Sequence, residues 1–223
     1  MNDKYKKNDS GMTAEKVSWK PGNMLYPVPV VMVSCARPGE KPDIITVAWA
    51  GTICSDPAMV SISVRKERFS HDIIKDTGEF VINLVNKKLV RSTDYCGVKS
   101  GRDVDKFAQT RLTAQESIHV KAPGIKESPV NIECRVKEVK ELGSHDMFIA
   151  EVVGVTVDNQ YMDDRGKFNL NASGLVSYSH GEYFELGKKL GSFGYSVKKN
   201  AIKKKFTKAP VRKGKGSDKG KKN

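Results

Sequence analysis

Seven apolar or alternating runs, none long enough to cross a bilayer, constrain this chain more than any other feature of its sequence. They are Pro29–Cys35, Ile44–Trp49, Ala58–Val64, Glu79–Val85, Asn131–Val139, Phe148–Val157 and Leu175–Tyr178. In Ala58–Val64, Met59, Ser61 and Ser63 oppose Val60, Ile62 and Val64 at period two, the spacing of a strand with two unlike faces. Asn131–Val139 alternates Ile132, Cys134 and Val136 with charged residues, which predicts a half-solvated strand. Helical patterns are short and lie between these runs. Phe69–Asp76 reads as a helix opened by Ser70 and closed by Gly78, and Lys87–Tyr95 and Val104–Gln109 carry weaker patterns. Many short strands with a few short helices predict a mainly β fold, an antiparallel β-barrel with helical insertions. No G-x-G-x-x-G follows a strand, so a doubly wound dinucleotide-binding sheet is not expected.

Charge divides the chain more sharply than hydropathy does. Residues 1–20 form a polar leader, residues 21–197 hold the apolar periodicity, and residues 198–223 are Lys- and Gly-rich. That last segment has twelve basic residues and one acid, Asp218, whereas the rest of the chain has 27 basic and 25 acidic residues. The overall charge of +13 therefore belongs to a tail and not to the body. The tail is expected to be disordered, either solubilising or binding polyanions such as nucleic acid with strong salt dependence. Phe206 is its one aromatic residue, which gives poor stacking recognition. The four cysteines, at 35, 54, 96 and 134, form no C-x-x-C pair, so buried small hydrophobes are expected in place of a zinc site or redox dithiol. With no secretory h-region at the N-terminus, a cytoplasmic location is the expectation.

Chemistry concentrates between Ile44 and Ser70. The segment Ala48-Trp49-Ala50-Gly51-Thr52 is made mostly of small residues, which let backbone N–H and C=O groups approach a planar ligand closely, and Trp49 offers an aromatic wall. Beyond the following strand stand Arg65, Arg68 and Ser70, the last near a helix N-terminus. Guanidinium groups, a hydroxyl and free N–H groups together suit a phosphate. Taken piece by piece, the same residues read more simply as an apolar core, a solvated Arg pair and a helix cap.

Several motifs in order add to this: T-V-A-W-A-G-T-I-C-S-D-P (46–57), S-I-S-V-R-K-E-R-F-S (61–70), G-E-F-V-I-N-L (78–84), D-Y-C-G (94–97), D-K-F (105–107), L-G-S-H-D-M-F-I-A-E-V (142–152) and F-G-Y-S (193–196). Through them the body resembles the flavin reductase-like family, and within it the flavoredoxin-type members. The resemblance implies an FMN-binding split β-barrel of Greek-key type, usually a homodimer with each flavin near the subunit interface. It implies that Thr46, Ala48, Trp49, Ala50, Gly51 and Thr52 line the isoalloxazine, and that Arg65, Arg68, Phe69 and Ser70 hold the ribityl phosphate. Cys96 and Gly97 would open a loop leading to Lys106, which either reaches the phosphate or flavin edge or is a surface lysine. His145 matches the histidine near the flavin and the nicotinamide approach side. Tyr178 either covers a flavin of the second subunit or is a core residue.

The pattern is broken at Asp43, where relatives commonly carry Asn. An ionised Asp only accepts hydrogen bonds, and beside a reduced flavin it would oppose reduction, so flavin contact is not carried over to this position. The implied function is hydride or electron transfer through flavin N5, with NAD(P)H or a partner redox protein as the donor. Positive charge from His145 or Lys106 would favour the reduced flavin. No side chain is nominated as a nucleophile.

Overall fold

One two-residue link decides how the strands of this protein must be arranged. The computed structural model describes residues 16–197, so the tail beyond them and the first part of the leader lie outside the described residues. Among the described residues there are twelve strands: β1 Val28–Pro29, β2 Val31–Cys35, β3 Asp43–Val47, β4 Ala50–Ser55, β5 Ala58–Arg65, β6 Glu79–Leu84, β7 Ala114–Gln115, β8 Gly124–Ile125, β9 Val130–Leu142, β10 His145–Val157, β11 Val176–Ser179 and β12 Glu182–Glu185. Seven of them form one antiparallel sheet in the order β3-β2-β6-β9-β10-β5-β4. In a flat sheet of seven strands the two edges would stand roughly 29 Å apart, at about 4.8 Å per step. Yet edge strands β3 and β4 are joined by Ala48 and Trp49 alone, and three trans peptide steps reach at most about 11 Å. The sheet therefore curls until its edges meet, and the expected split barrel results. The Trp49 carbonyl also accepts from Ser63 N–H at 2.8 Å, which extends the β4–β5 pairing back into the link.

Side-chain alternation then sorts the core into layers. Val31, Val33 and Cys35 point into the barrel with Ile45, Val47, Ile62, Val64, Phe80 and Phe148. Their sequence neighbours Val30, Met32 and Ile44 point outward into a second cluster with Leu89, Cys96 and Phe107. Strands β2 and β3 are buried on both faces because helices cover the outside, which explains their nearly continuous apolar character.

Three helices accompany the barrel: α1 Phe69–Thr77, α2 Val90–Val98 and α3 Lys106–Thr110. Helix α1 packs Ile73 and Ile74 into the barrel core and ends at Gly78, whose φ of 67° suits glycine. Its N-cap is Arg68, not Ser70 as the sequence suggested. The Ser70 hydroxyl turns inward to donate to Asp43. The pattern over Lys87–Tyr95 resolves into a 3-10 turn, Lys87–Leu89, followed by α2. Asp105 caps α3 by accepting from Ala108 N–H at 3.0 Å.

Four strands were not foreseen: β4, β12 and the short pair β7 and β8. β4 coincides with the small-residue segment, and its mostly exposed residues show no apolar alternation. β12 follows β11 and pairs with it, so Leu175–Tyr178 is not the last strand. All four cysteines are free, three of them buried. Burial pushes the Cys96 thiol up to about 11, so it is inert as a nucleophile at neutral pH. Among the described residues no helix is long and apolar enough to cross a membrane. The barrel and its additions form one compact unit to Leu186. The chain from Gly187 forms a second unit, which includes the F-G-Y-S motif and a 3-10 turn, Tyr195–Val197.

Replacing Gly78 by Ala places an L side chain at φ 67° without a steric clash. The variant is expected to lose about 1 kcal/mol of stability, read as a lower urea midpoint with an unchanged slope.

Candidate functional site

A cleft also opens at the Ala48–Trp49 corner. A cavity of about 360 Å³ lies there, within the range of small-molecule sites. β3 and the corner contribute Ile45, Thr46, Val47, Ala48 and Trp49, while β5 contributes Ser63, Val64 and Arg65. Arg68, His145, Gly97 and Tyr178 complete the set of sequence-nominated residues that face it. The Thr46 hydroxyl donates to the Thr93 carbonyl of α2 at 2.5 Å, which fixes one wall against the other. Gly97 fits that wall closely, since a Cβ there would stand 3.2 Å from Thr46 Cβ.

The remaining nominated residues lie elsewhere. Phe69, Ser70, Cys96 and Lys106 line a smaller chamber of about 110 Å³, which shares Ile45 and Arg68 with the cleft. Ala50, Gly51 and Thr52 lie on edge strand β4, and Gly51 and Thr52 are exposed outside both cavities.

Lys106 requires a correction. It is neither a surface lysine nor a group free to reach a ligand: only 3 % exposed, its ammonium donates to the Ile44 carbonyl at 2.5 Å and the Cys96 carbonyl at 3.3 Å. It also lies 3.4 Å from Asp43 Oδ1. Asp43 is equally buried and accepts from the Ser70 hydroxyl at 2.5 Å. The acid at this position therefore belongs to an internal ion pair, on neither the solvent nor the open cleft. The Ser70 hydroxyl is committed to Asp43, which leaves the Ser70 backbone N–H as its free group at the small chamber. Cys96 is a core residue. Gly101 is fitted to the pair, since a Cβ there would collide with Asp43 and stand 2.6 Å from the Phe69 ring.

Arg68 is a cation left uncommitted. Among the described residues its side chain forms no ion pair or hydrogen bond, and it faces both cavities. Arg65 lies 3.5 Å from Glu67 Oε1. The first N–H groups of α1, at Phe69 and Ser70, lie ahead of the helix's own hydrogen bonding and add a partial positive charge. His145 starts β10 opposite Arg65, and its Nδ1 lies 2.8 Å from Ser144 Oγ. Desolvation first, and then the Arg65 charge, hold its pKa below the usual 6.5. At neutral pH His145 is thus uncharged, a correction to its expected role as a positive group.

Several residues at the site carried no readable signal. Tyr26 stands 6.0 Å from Trp49 and 6.3 Å from Tyr178 between ring centroids. Tyr183 packs edge-on against Tyr178 and donates to Asp94 at 3.2 Å. Desolvation and then Asp94 push the Tyr183 phenol up to about 12. Arg102 braces the loop after α2 by donating to the Glu67 carbonyl at 2.9 Å, with its guanidinium 5.5 Å from the Phe69 ring. These contacts join residues remote in sequence, and only D-Y-C-G pointed at Asp94.

The comparisons agree with this geometry. Residues 23–187 match the family described as Flavin reductase like domain, and the chain belongs to that family. It is similar to the flavoredoxin of Desulfovibrio vulgaris (Miyazaki F), with 32% identity, a TM-score of 0.76, and coverage of 82% of this chain and 100% of that one. The flavoredoxin from Methanosarcina acetivorans matches with 27% identity and a TM-score of 0.74, over 83% of this chain and 100% of that one. An uncharacterized protein of Archaeoglobus fulgidus is 32% identical over 72% of this chain and 88% of its own. The reductase component of a 4-nitrophenol monooxygenase from Rhodococcus opacus is 27% identical over 56% of this chain and 63% of its own. The protein is a flavin reductase-like redox protein of flavoredoxin type. The nucleic-acid alternative finds no support in these relatives and rested on residues 198–223, outside the described residues.

Lys106→Met would strand Asp43 as an uncompensated buried charge, with an expected loss of about 3–5 kcal/mol in urea unfolding. Adding Asp43→Asn should recover most of that loss. An unrecovered double variant would show that packing, not charge, is what Lys106 supplies. Separately, the His145 imidazole signals should titrate in NMR with a midpoint below 6.5, moving upward in Arg65→Gln as one cationic neighbour is removed.

Proposed function

We propose that the protein binds FMN across the two chambers and acts as an NAD(P)H:flavin oxidoreductase. The observation that carries the reading is Arg68, an uncommitted guanidinium facing both a cleft with an aromatic wall and a small chamber at a helix N-terminus. A flavin mononucleotide has the matching division into a planar ring system and a phosphate. Arg68, Arg65 and the first N–H groups of α1 would hold the phosphate. Thr46, Val47, Ala48 and Trp49 would border the ring through the backbone and the indole. Bound there, FMN supplies a two-electron acceptor at N5, which no side chain of this protein provides.

The protein's own groups act by placement and electrostatics. The Asp43–Lys106 pair holds the Ile44 carbonyl and Ser70, and with them the start of β3 and the start of α1. An uncharged His145 provides a hydrogen-bonding edge and no electrostatic bias at neutral pH. Tyr178 and Tyr183 line one side of the cleft, and Tyr26 packs beside Tyr178 and Trp49.

A second reading, a flavoredoxin-like electron carrier served by another redox protein, is favoured by the 32% identity to a flavoredoxin over the whole of that chain. A homodimer in the cytoplasm fits either reading. Edge strand β4 is paired on one side only, and Ile53 on it is 49 % exposed, an open edge that a second copy would cover.

Arg68→Gln should weaken FMN binding about tenfold, the loss expected of one charge-assisted phosphate contact, with riboflavin affinity little changed. Equal loss for both ligands would place Arg68 at the ring and not at the phosphate. Anaerobic mixing with NADPH and NADH then separates the two readings: rapid bleaching of the flavin bands identifies a reductase, and slow or absent bleaching a carrier.

A further inference from the structure

A second concave surface lies on the outer side of α2. It has a volume of about 670 Å³ and runs from α2 to the C-terminal end of α3. Arg91, Lys99 and Arg111 line it, with the half-buried ring of Tyr95 between them. Asp94 and Val98, about one helical turn apart on α2, belong to this surface and to the flavin cleft as well, so the two sites share a wall.

Its cations differ from those held in ion pairs across the barrel unit, such as Arg37–Asp76, Lys66–Glu141, Arg135–Glu79 and Lys137–Glu151. Among the described residues, the Arg91, Lys99 and Arg111 side chains form no ion pair and no hydrogen bond. Three unmatched cations on one concave surface repel one another unless an anion is present.

Backbone strain gives an independent indication. Arg111 caps α3 in the left-handed region at φ 57°, its N–H donating to Ala108 and Phe107 carbonyls. Glycine or asparagine holds that conformation readily and a long L side chain rarely does. A residue held there against its preference points to a use for its side chain.

We propose that this cleft is the site for the phosphoadenosine half of NADPH, placed so that the nicotinamide half extends over the shared wall into the flavin cleft. The proposal rests on the reductase reading given above. Arg91, Lys99 and Arg111 take the phosphates, including the 2′-phosphate that NADH lacks, because guanidinium and ammonium groups match phosphate charge. The Tyr95 ring offers an aromatic face to the adenine. Asp94 is the single acid on this surface. One of its oxygens accepts from Tyr183, and on the shared wall a carboxylate is suited to accept from a ribose hydroxyl.

The test is calorimetric titration of the full-length, FMN-loaded protein with 2′,5′-ADP and with 5′-AMP, neither of which carries electrons. Two variants are compared with the parent: Arg111→Gly, which removes the cation and relieves the backbone, and Arg91→Gln on the exposed face of α2. The basic segment 198–223 is present in every protein, so its contribution to anion binding cancels. Each variant should keep its flavin and its melting temperature. Each should bind 2′,5′-ADP about five- to tenfold more weakly, as expected for lost charge-assisted contacts. The 5′-AMP affinity should change less. In steady state the NADPH KM should rise by the same factor while kcat is retained.

Unchanged 2′,5′-ADP affinity in both variants overturns the assignment, as does equal binding of 2′,5′-ADP and 5′-AMP by the parent. Tighter binding of FAD than FMN, lost in Arg111→Gly, would also overturn it by giving the cleft to the adenosine half of the flavin. Rapid reduction by NADPH with KM unmoved in the variants leaves the reductase reading standing and removes this site. Weakened 2′,5′-ADP binding in a protein that NADPH does not reduce supports the site and removes the reductase reading.

Discussion

The two residues between β3 and β4 set the geometry on which everything else depends. Because Ala48 and Trp49 bridge strands at opposite edges of a seven-stranded sheet, the sheet has no choice but to close. Closure brings Arg65 and Ser63 of β5 against Thr46 and Val47 of β3, and a cleft opens along the join. The same link exposes backbone at its surface, which small residues permit and which a planar ligand requires. Barrel closure and ligand access are thus one structural event.

Beneath the cleft, a buried ion pair holds the parts that must stay still. Asp43 begins β3, Ser70 lies in the first turn of α1, and Lys106 begins α3. Three segments remote in sequence meet at a single carboxylate. Such pairs contribute little net stability once desolvation is counted, but breaking one is severe. Its value here is positional: Lys106 holds the Ile44 carbonyl, and the Gly101 loop closes over the carboxylate with no room for a side chain. The D-K-F motif is explained in full by structure, with Asp105 as a cap, Lys106 as the counter-ion and Phe107 as core.

Electrostatics around the cleft are graded. Arg65 is partly compensated by Glu67, His145 is kept neutral by desolvation and by Arg65, and Arg68 is left for a ligand. Positive charge is therefore concentrated at the end of the cleft nearest the α1 N-terminus, and the opposite end is aromatic. A ligand with a phosphate at one end and a conjugated ring at the other is the shape that this gradient fits. Through the shared wall at Asp94 and Val98, the gradient continues onto the cationic outer face of α2.

Strand content, an antiparallel and not doubly wound sheet, the helix ending at Gly78 and the family were legible in the sequence, because alternation and ordered motifs are local properties. β4 was not legible as a strand, since an edge strand exposed on both faces needs no apolar alternation. The fates of Lys106, Ser70 and Cys96 were likewise hidden, because burial and partners depend on which distant segments meet. The sequence by itself determined that a barrel would form and, through its ordered motifs, the family the chain belongs to. Only the tertiary structure decided which of the nominated side chains face the cleft, for the physical reason that a side chain reaches a ligand or a buried ion according to how the sheet closes around it, and closure is a property of the whole chain.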